Sequence, residues 1–404
     1  MSDRSQRSDT VVRTDAPTPT ATTGTPTTRR SDAAAARAAL ARPGTRIRSG
    51  RDGSVEVLRD PHALECLRAG WGRLDADFRG PFNHLEWILA YAHALPPGER
   101  LFVITVRQGG VLTGVAPLVQ RGGPLGALRL INSDDASGFF YADRPQLFRL
   151  VDAVLGLRLP LALTSLVAGS PTDELFSRLG RHRRLYVDRS WSMGPSLVLD
   201  DSYLDPLSKL RSGRRSELRR RLRKAEAIGE VRFDVEVPGD DPGRWFEEFV
   251  RIEGSGWKGR AGTALQADDA QRETLWRFIT APDARDEVRF ATMRIGEAMV
   301  ATDLLLLADG RLWGMKGAYD EAFAHVSPGL LLKVHLMSWA AKHRLRTFEF
   351  MGSTDGWKQA WGTGPELHAM KIYPASIAGS VALARDAVSQ ARRTLAEART
   401  RVGA

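Results

Sequence analysis

Leu312-Trp-Gly-Met-Lys-Gly-Ala-Tyr-Asp320, Ser327-Pro-Gly-Leu-Leu-Leu-Lys-Val-His-Leu-Met-Ser-Trp-Ala-Ala341 and Thr347-Phe-Glu-Phe-Met-Gly-Ser353 follow one another closely in this 404-residue chain. Together the three runs read strand, loop, helix, strand. Ser327 and Pro328 suit a helix N-cap and first helical position, since serine can accept from an early amide and proline has no N–H to lose there. The pattern predicts that Gly329, Leu330 and Leu331 turn free backbone amides out of the helix start, a ready site for a pyrophosphate. A well-capped helix of any α/β unit has the same local sequence, so the loop alone leaves both readings open.

Upstream, Arg289 to Met293 and Met299 to Leu306 flank Ile295-Gly296-Glu297, which reads as a hairpin, with a third strand, Leu312 to Ala318, after Asp309-Gly310. The same design stands earlier, where Leu101 to Val106 and Val111 to Val119 flank Gln108-Gly109-Gly110. Arg107-Gln-Gly-Gly-Val-Leu-Thr-Gly-Val-Ala-Pro-Leu118 aligns with Arg294-Ile-Gly-Glu-Ala-Met-Val-Ala-Thr-Asp-Leu-Leu305, sharing Arg, Gly and Leu. Over so short a window chance and duplication are both open. Between the hairpins, Leu207 to Gly229 sets an interrupted apolar stripe against Arg211, Arg214, Arg215, Arg219, Arg220, Arg221 and Arg223, a basic amphipathic helix with Gly229 placed to end it.

Residues 1–46 are rich in Ser, Thr, Asp, Arg, Pro and Ala and cannot bury enough apolar surface to offset their ordering entropy, so a disordered tail is expected. The chain is too long for one core and divides into an N-terminal module over 47–200, a C-terminal module over 201–377 and a terminal amphipathic helix over 378–404. Hydrophobic residues at 43% and charged residues at 26% match a soluble globular protein. The single cysteine, Cys66, excludes an intramolecular disulfide and a cysteine-rich zinc site, and the eight histidines show no ligand spacing. No Gly-x-Ser-x-Gly elbow marks a serine hydrolase. No apolar run reaches membrane-spanning length and no secretion signal is apparent, so a cytoplasmic location is expected. The charge of +10 raises the local concentration of any polyanion, nucleic acid, anionic lipid and coenzyme A alike.

As a whole, roughly Leu58 to Tyr373 resembles the GNAT superfamily of acyl-CoA transferases, within it the CelD-type (cellulose-biosynthesis-protein-like) acetyltransferases, and is similar in plan to the Fem transferases. The resemblance is carried by Arg211-Ser-Gly-Arg-Arg-Ser-Glu-Leu-Arg-Arg221, Arg251-Ile-Glu-Gly-Ser-Gly-Trp-Lys-Gly-Arg-Ala-Gly262, Ala318-Tyr-Asp320 with Ser327-Pro-Gly329, and Phe348-Glu-Phe-Met-Gly352 leading into Gly356-Trp-Lys358 and Trp361. It implies an α/β (α+β) fold of two tandem GNAT-like modules, each a mixed twisted sheet flanked by helices, the second holding acetyl-CoA or another acyl-CoA as donor co-substrate with no prosthetic group. Of the usual GNAT pyrophosphate motif only Gly329 remains. The lean toward envelope or exopolysaccharide (cellulose) biosynthesis is analogy, since fold does not fix function.

Acyl transfer needs a thioester held beside an amine or hydroxyl, a proton acceptor and oxyanion stabilisation. The candidate bases are Glu349, Asp320, Glu253 and Asp355, acids inside the matching segments. Glu349 leads, because strand alternation turns it away from Phe348 and Phe350, toward an acceptor cleft. The expected donor site is Ser327, Pro328, Gly329, Leu330, Leu331 and Lys358, with Trp257, Lys258, Lys316 and Trp357 on the substrate; no metal ligand is expected. Trp361 reads as core. Capping carboxylates, snorkelling lysines and core tryptophans are the bland readings of the rest. Two rivals stand: a Fem-like aminoacyl transferase with charged tRNA along the arginine helix, and a non-enzymatic protein that binds nucleic acid or a membrane surface through its basic helices. No specific nucleic-acid partner is expected, and peripheral membrane contact stays open.

Overall fold

The computed structural model describes residues 46–49, 53–131, 136–192, 194–256, 262, 264–352, 356–361 and 364–402. Residues 1–45 of the expected tail lie outside the described residues, as do Asp355, Trp257 and Lys258.

The fold is mixed α/β, with sheets flanked by helices. Among the described residues, strands pair into three six-stranded sheets. The first runs in spatial order Arg46–Ser49, Gly53–Leu58, Val103–Gln108, Val111–Ala116, Phe140–Tyr141 and Asp75–Ala76; the second runs Arg184–Ser192, Glu366–Pro374, Leu161–Val167, Ala127–Leu130, Leu118–Arg121 and Glu99–Leu101. One long hairpin feeds both, because Pro117 has no N–H to continue the ladder past Ala116. Where one sheet was expected for the N-terminal module, this break divides it into two.

The third sheet runs Ser196–Val198, Thr347–Glu349, Arg311–Tyr319, Ala298–Ala308, Val288–Ile295 and Val231–Glu236. All its neighbours are antiparallel except Thr347–Glu349, which pairs parallel with Arg311–Trp313. Sheet membership crosses the sequence boundaries at 200 and 377. Ser196–Val198 joins the third sheet, whereas Glu366–Pro374 returns to the second and inserts between Leu161–Val167 and Arg184–Ser192. Each half therefore lends the other a strand, which local sequence patterns do not encode.

The two hairpins agree beyond their alignment. Each bulges at its aligned arginine, between Val106 and Arg107 and between Met293 and Arg294. Arg107 Nη1 donates to the Gly110 carbonyl at 3.4 Å, and Arg294 Nη1 to that of Glu297 at 3.1 Å. The two hairpins thus share a bulge and a side-chain bond three residues on.

On one face of the third sheet, the helix Pro328–Lys342 packs Leu331, Leu332, Leu336 and Met337 together with Leu218 and Ala225 of Ser212–Glu226. The basic helix starts at Ser212, later than the apolar stripe suggests, because Pro206–Lys209 forms its own 3-10 turn. The other face receives Phe246 and Phe249 of Pro242–Ser255, Phe278 of Asp269–Thr280, and Trp87 and Ile88 of the N-terminal helix Leu85–His93. Trp87 and Phe278 meet edge to face at 5.4 Å, so one apolar cluster joins the halves. Burial of each such aromatic contributes about 2 kcal/mol. The terminal helix spans Ile377–Val402.

Candidate functional site

Parallel pairing stops at Trp313 and Glu349, and beyond it Arg311–Tyr319 keeps only its antiparallel partner Ala298–Ala308 on the other edge. Beyond that point the neighbouring chain turns away: Met351 and Gly352 both adopt left-handed backbone, with φ of 55° and 67°. From the far side, Gly194 donates its amide to the Gly352 carbonyl, and a Cβ at Gly194 would collide with the Met351 carbonyl. The two strands thus part, and a cavity of about 540 Å³ opens between them.

The helix start faces this cavity. Ser327 is held in left-handed backbone at φ 52° and its side chain caps no amide. Such strain in a serine persists only where the surroundings impose it and is a feature of ligand-binding turns. The Ser327 carbonyl accepts from both Leu330 and Leu331 amides at 3.1 Å. The expectation of three free amides is corrected accordingly: Leu330 and Leu331 are bonded, Leu331 is buried in the core off the cavity, and Gly329 N–H is the amide that Ser327 leaves open. A Cβ at Gly329 would lie 3.3 Å from the Tyr319 ring, so the approach to that amide is narrow.

Ser327, Pro328, Gly329, Leu330, Lys316, Trp357 and Lys358 all line the cavity, so most of the expected donor residues come together. Lys358 Nζ donates to the Met351 carbonyl, and Trp357 stands edge to face on Phe350 at 5.2 Å. Trp361 is core, as read from sequence.

Two residues that sequence reasoning missed lie here. Lys333, one turn along the helix from Gly329, forms an ion pair with Asp303 at 2.9 Å, both largely buried. Room for the pair comes from the opposite strand: a side chain at Gly317 would collide with Asp303 Oδ1, and one at Gly314 would sit 3.4 Å from Lys333 Nζ. An acid and a lysine thirty positions apart carry no local signal; the small residues of Trp-Gly-Met-Lys-Gly were the available hint.

The candidate bases separate. Glu253 is buried, accepts the Leu265 amide at 2.9 Å and pairs with Lys316 at 3.2 Å. Lys316 also donates to Gln271 Oε1 at 2.9 Å and lines a second cavity of about 420 Å³, shared with Met315, Tyr91, Glu99, Arg129 and Gln271. There, burial and a 2.8 Å bond to Glu99 raise the Tyr91 pKa, so its phenol remains a donor. Asp320 is a cap, accepting the Ala322 amide at 3.0 Å. Glu349 does lie on the face opposite Phe348, but its carboxylate takes the Thr347 hydroxyl at 2.7 Å and Arg311 at 3.5 Å and lines neither cavity. Alternation fixed its face, but the parting of the strands begins one residue beyond it.

Residues 212–359, which build this cavity, match the family model described as Acetyltransferase (GNAT) domain. A segment of the C-terminal half thus matches a GNAT acetyltransferase domain. No curated protein sequence matches significantly. Similar solved structures include the crystal structure of FemX, at 14% identity and TM-score 0.47, over 72% of this chain and 90% of that one. The C-terminal domain of a putative lysylphosphatidylglycerol synthetase from Agrobacterium fabrum is 11% identical with TM-score 0.48, over 80% and 95%. A tandem GNAT protein from the clavulanic acid biosynthesis pathway is 14% identical with TM-score 0.46, over 80% and 99%. These are likenesses of overall architecture, and none bears on donor or acceptor. Among the described residues no helix is long and apolar enough to cross a membrane, and no group of three or more His, Cys, Asp or Glu side chains could hold a metal ion.

Proposed function

We propose that the chain is an acyl-CoA-dependent N- or O-acyltransferase whose donor lies in the cavity at Gly329. The observation that carries this reading is the uncapped helix start, with its Gly329 N–H facing a cavity that Lys316, Lys333, Lys358 and Asp303 also line. A helix N-terminus with ammonium groups beside it stabilises a polyanionic pyrophosphate. The pantetheine arm would then run between the parted strands, toward the junction with the second cavity at Met315 and Lys316.

The acceptor enters from that second cavity. Its amine or hydroxyl attacks the thioester carbonyl; the nucleophile's proton passes to Asp303, the carboxylate that lines the donor cavity. The Lys316 ammonium, held by Glu253 and Gln271, stabilises the tetrahedral oxyanion. Collapse breaks the C–S bond, and the CoA thiolate leaves and takes up a proton. Transfer is direct: Cys66 lines neither cavity, so no covalent thioester on the enzyme is required. An envelope, polysaccharide or small-molecule acceptor fits this chemistry, and a cytoplasmic site of action goes with a CoA donor.

Calorimetry with acetyl-CoA, longer acyl-CoAs and free CoA tests the donor. Binding that Gly329→Trp weakens strongly is expected; no CoA binding by the folded wild type would sink the reading. A second reading rests on the exposed Arg219, Arg220, Arg223 and Lys224 of Ser212–Glu226, a helix that packs against the turn leading into Ser327. In it the donor is an aminoacyl-tRNA. Binding of charged tRNA with a steep salt dependence, lost on replacing Arg219 and Arg220, would select it.

A further inference from the structure

The terminal helix Ile377–Val402 is 26 residues long, a rod of ~39 Å at 1.5 Å per residue. Its first turns are anchored: Ala378 enters the second core cluster, and Asp386 takes Lys371 Nζ at 2.7 Å and the Tyr373 hydroxyl at 2.5 Å. A different face carries Ile377, Val381, Ala384, Val388, Ala391, Leu395, Ala398 and Val402, spaced alternately four and three residues apart. That is an unbroken a/d heptad series, and Ile377, Ala384, Val388, Ala391 and Leu395 of it are exposed. Ile377 is 77% exposed, Val388 53% and Leu395 61%.

We propose that this stripe is the seam of a parallel two-stranded coiled coil with a second copy of the chain. Valine holds three of the four a positions, 381, 388 and 402, with Leu395 at the other, and β-branched a residues favour two strands; alanine at the d positions 384, 391 and 398 lets the helices approach closely. The flanking charges select the direction. Arg385, Arg392 and Arg399 occupy the e positions after Ala384, Ala391 and Ala398, with Ser380, Ala387 and Thr394 at the preceding g positions. In a parallel pair each e side chain meets a g side chain of the partner, so every arginine faces a neutral residue. An antiparallel pair would align arginine against arginine. A monomer gains nothing from a seven-residue repeat on its solvent face, because an isolated surface helix is served by any polar pattern.

Multi-angle light scattering of the full chain tests this. Twice the chain mass is expected at micromolar concentration. Val388→Asp with Leu395→Asp, both exposed and remote from the cavities, should return a monomer with unchanged circular dichroism. In a Cys66→Ser background, Ala384→Cys should crosslink readily to its counterpart on the second copy. A monomeric wild type, or a dimer that the double variant leaves intact, overturns the proposal; a dimer without the Ala384→Cys crosslink overturns its parallel direction. A monomer that co-sediments with phosphatidylglycerol vesicles would assign the stripe to a membrane surface instead.

Discussion

Two helix starts in this molecule follow the same plan and end differently. In the N-terminal half, Asp143-Arg144-Pro145-Gln146 opens the helix Arg144–Gly156; in the C-terminal half, Val326-Ser327-Pro328-Gly329 opens Pro328–Lys342. Asp143 accepts the Gln146 amide at 2.8 Å, so the first start supplies its own anion. The Gln146 side chain, buried, fills the adjoining space and bonds Thr113 at 3.1 Å and Gln108 at 2.7 Å. In the second, Ser327 caps nothing, and glycine stands where Gln146 stands relative to the proline. One start is closed by the protein, and the other leaves the Gly329 N–H open on the cavity.

The contrast extends inward. In register with the aligned arginines, Asp303 takes the place of Ala116; in register with the prolines, Lys333 takes the place of Leu150. Ala116 and Leu150 are both core residues of the N-terminal half. An apolar pair therefore suffices to join this helix to this hairpin. A buried ion pair is weak evidence for stability, because desolvation opposes the Coulomb gain. Its presence only at the open helix start points to chemistry.

Breaking the pair from one side gives the largest effect. Asp303→Asn leaves Lys333 buried without its counter-charge and should cost about 3–5 kcal/mol in denaturant unfolding. Copying the N-terminal half with Asp303→Ala and Lys333→Leu together should recover all of that loss, yet abolish acyl transfer. Retained turnover in the folded double variant would remove the pair from the mechanism.

Gly329→Trp should weaken CoA binding on the order of 100-fold, about 2.8 kcal/mol, with little change in melting temperature. The counterpart Gln146→Ala should do the reverse, losing about 1–3 kcal/mol of stability because Thr113 and Gln108 lose a buried partner, with CoA affinity intact. Equal effects of the two on CoA would erase the distinction between the starts. The caps differ in the same sense: Asp143→Ala should cost about 1 kcal/mol, and Ser327→Ala close to nothing.

The smallest effect is on pH. Each half has a histidine whose pKa burial lowers: His84, which accepts the Glu86 amide at 3.3 Å, and His335, stacked on Phe233 at 4.6 Å. The unfolded chain takes up protons first, so stability is full above about 6.5 and falls as pH drops below it. His335→Gln and His84→Asn should each flatten the acid limb of the stability profile. An unchanged slope in both would show that carboxylates alone govern acid unfolding.

Much of the fold was legible in the sequence. Gly109-Gly110 and Gly296 marked both hairpins, and Ser327-Pro328 placed the decisive helix to the residue. The site was legible in part. Lys316, Trp357 and Lys358 reached the cavity from segments singled out by composition, and Glu253 reached Lys316. Asp303 and Lys333 were not legible, since neither interrupts the apolar period of its element enough to be read as anything but a strand or helix residue. For Glu349, alternation assigns a face and says nothing of where along the strand a cleft opens.

By itself the sequence determined what is local: hairpins from turn glycines, helix starts from caps and proline, the basic helix, and the seven-residue repeat of the terminal helix. Only the tertiary structure decided what depends on distance through space. The parting of Arg311–Tyr319 from the chain beyond Glu349 made the cavity, the exchange of Ser196–Val198 and Glu366–Pro374 bound the halves together, and two glycines gave a buried lysine and aspartate room to meet. Hydrogen-bond ladders and burial act between residues far apart in the chain, and no periodicity of either segment alone records the partner it will find.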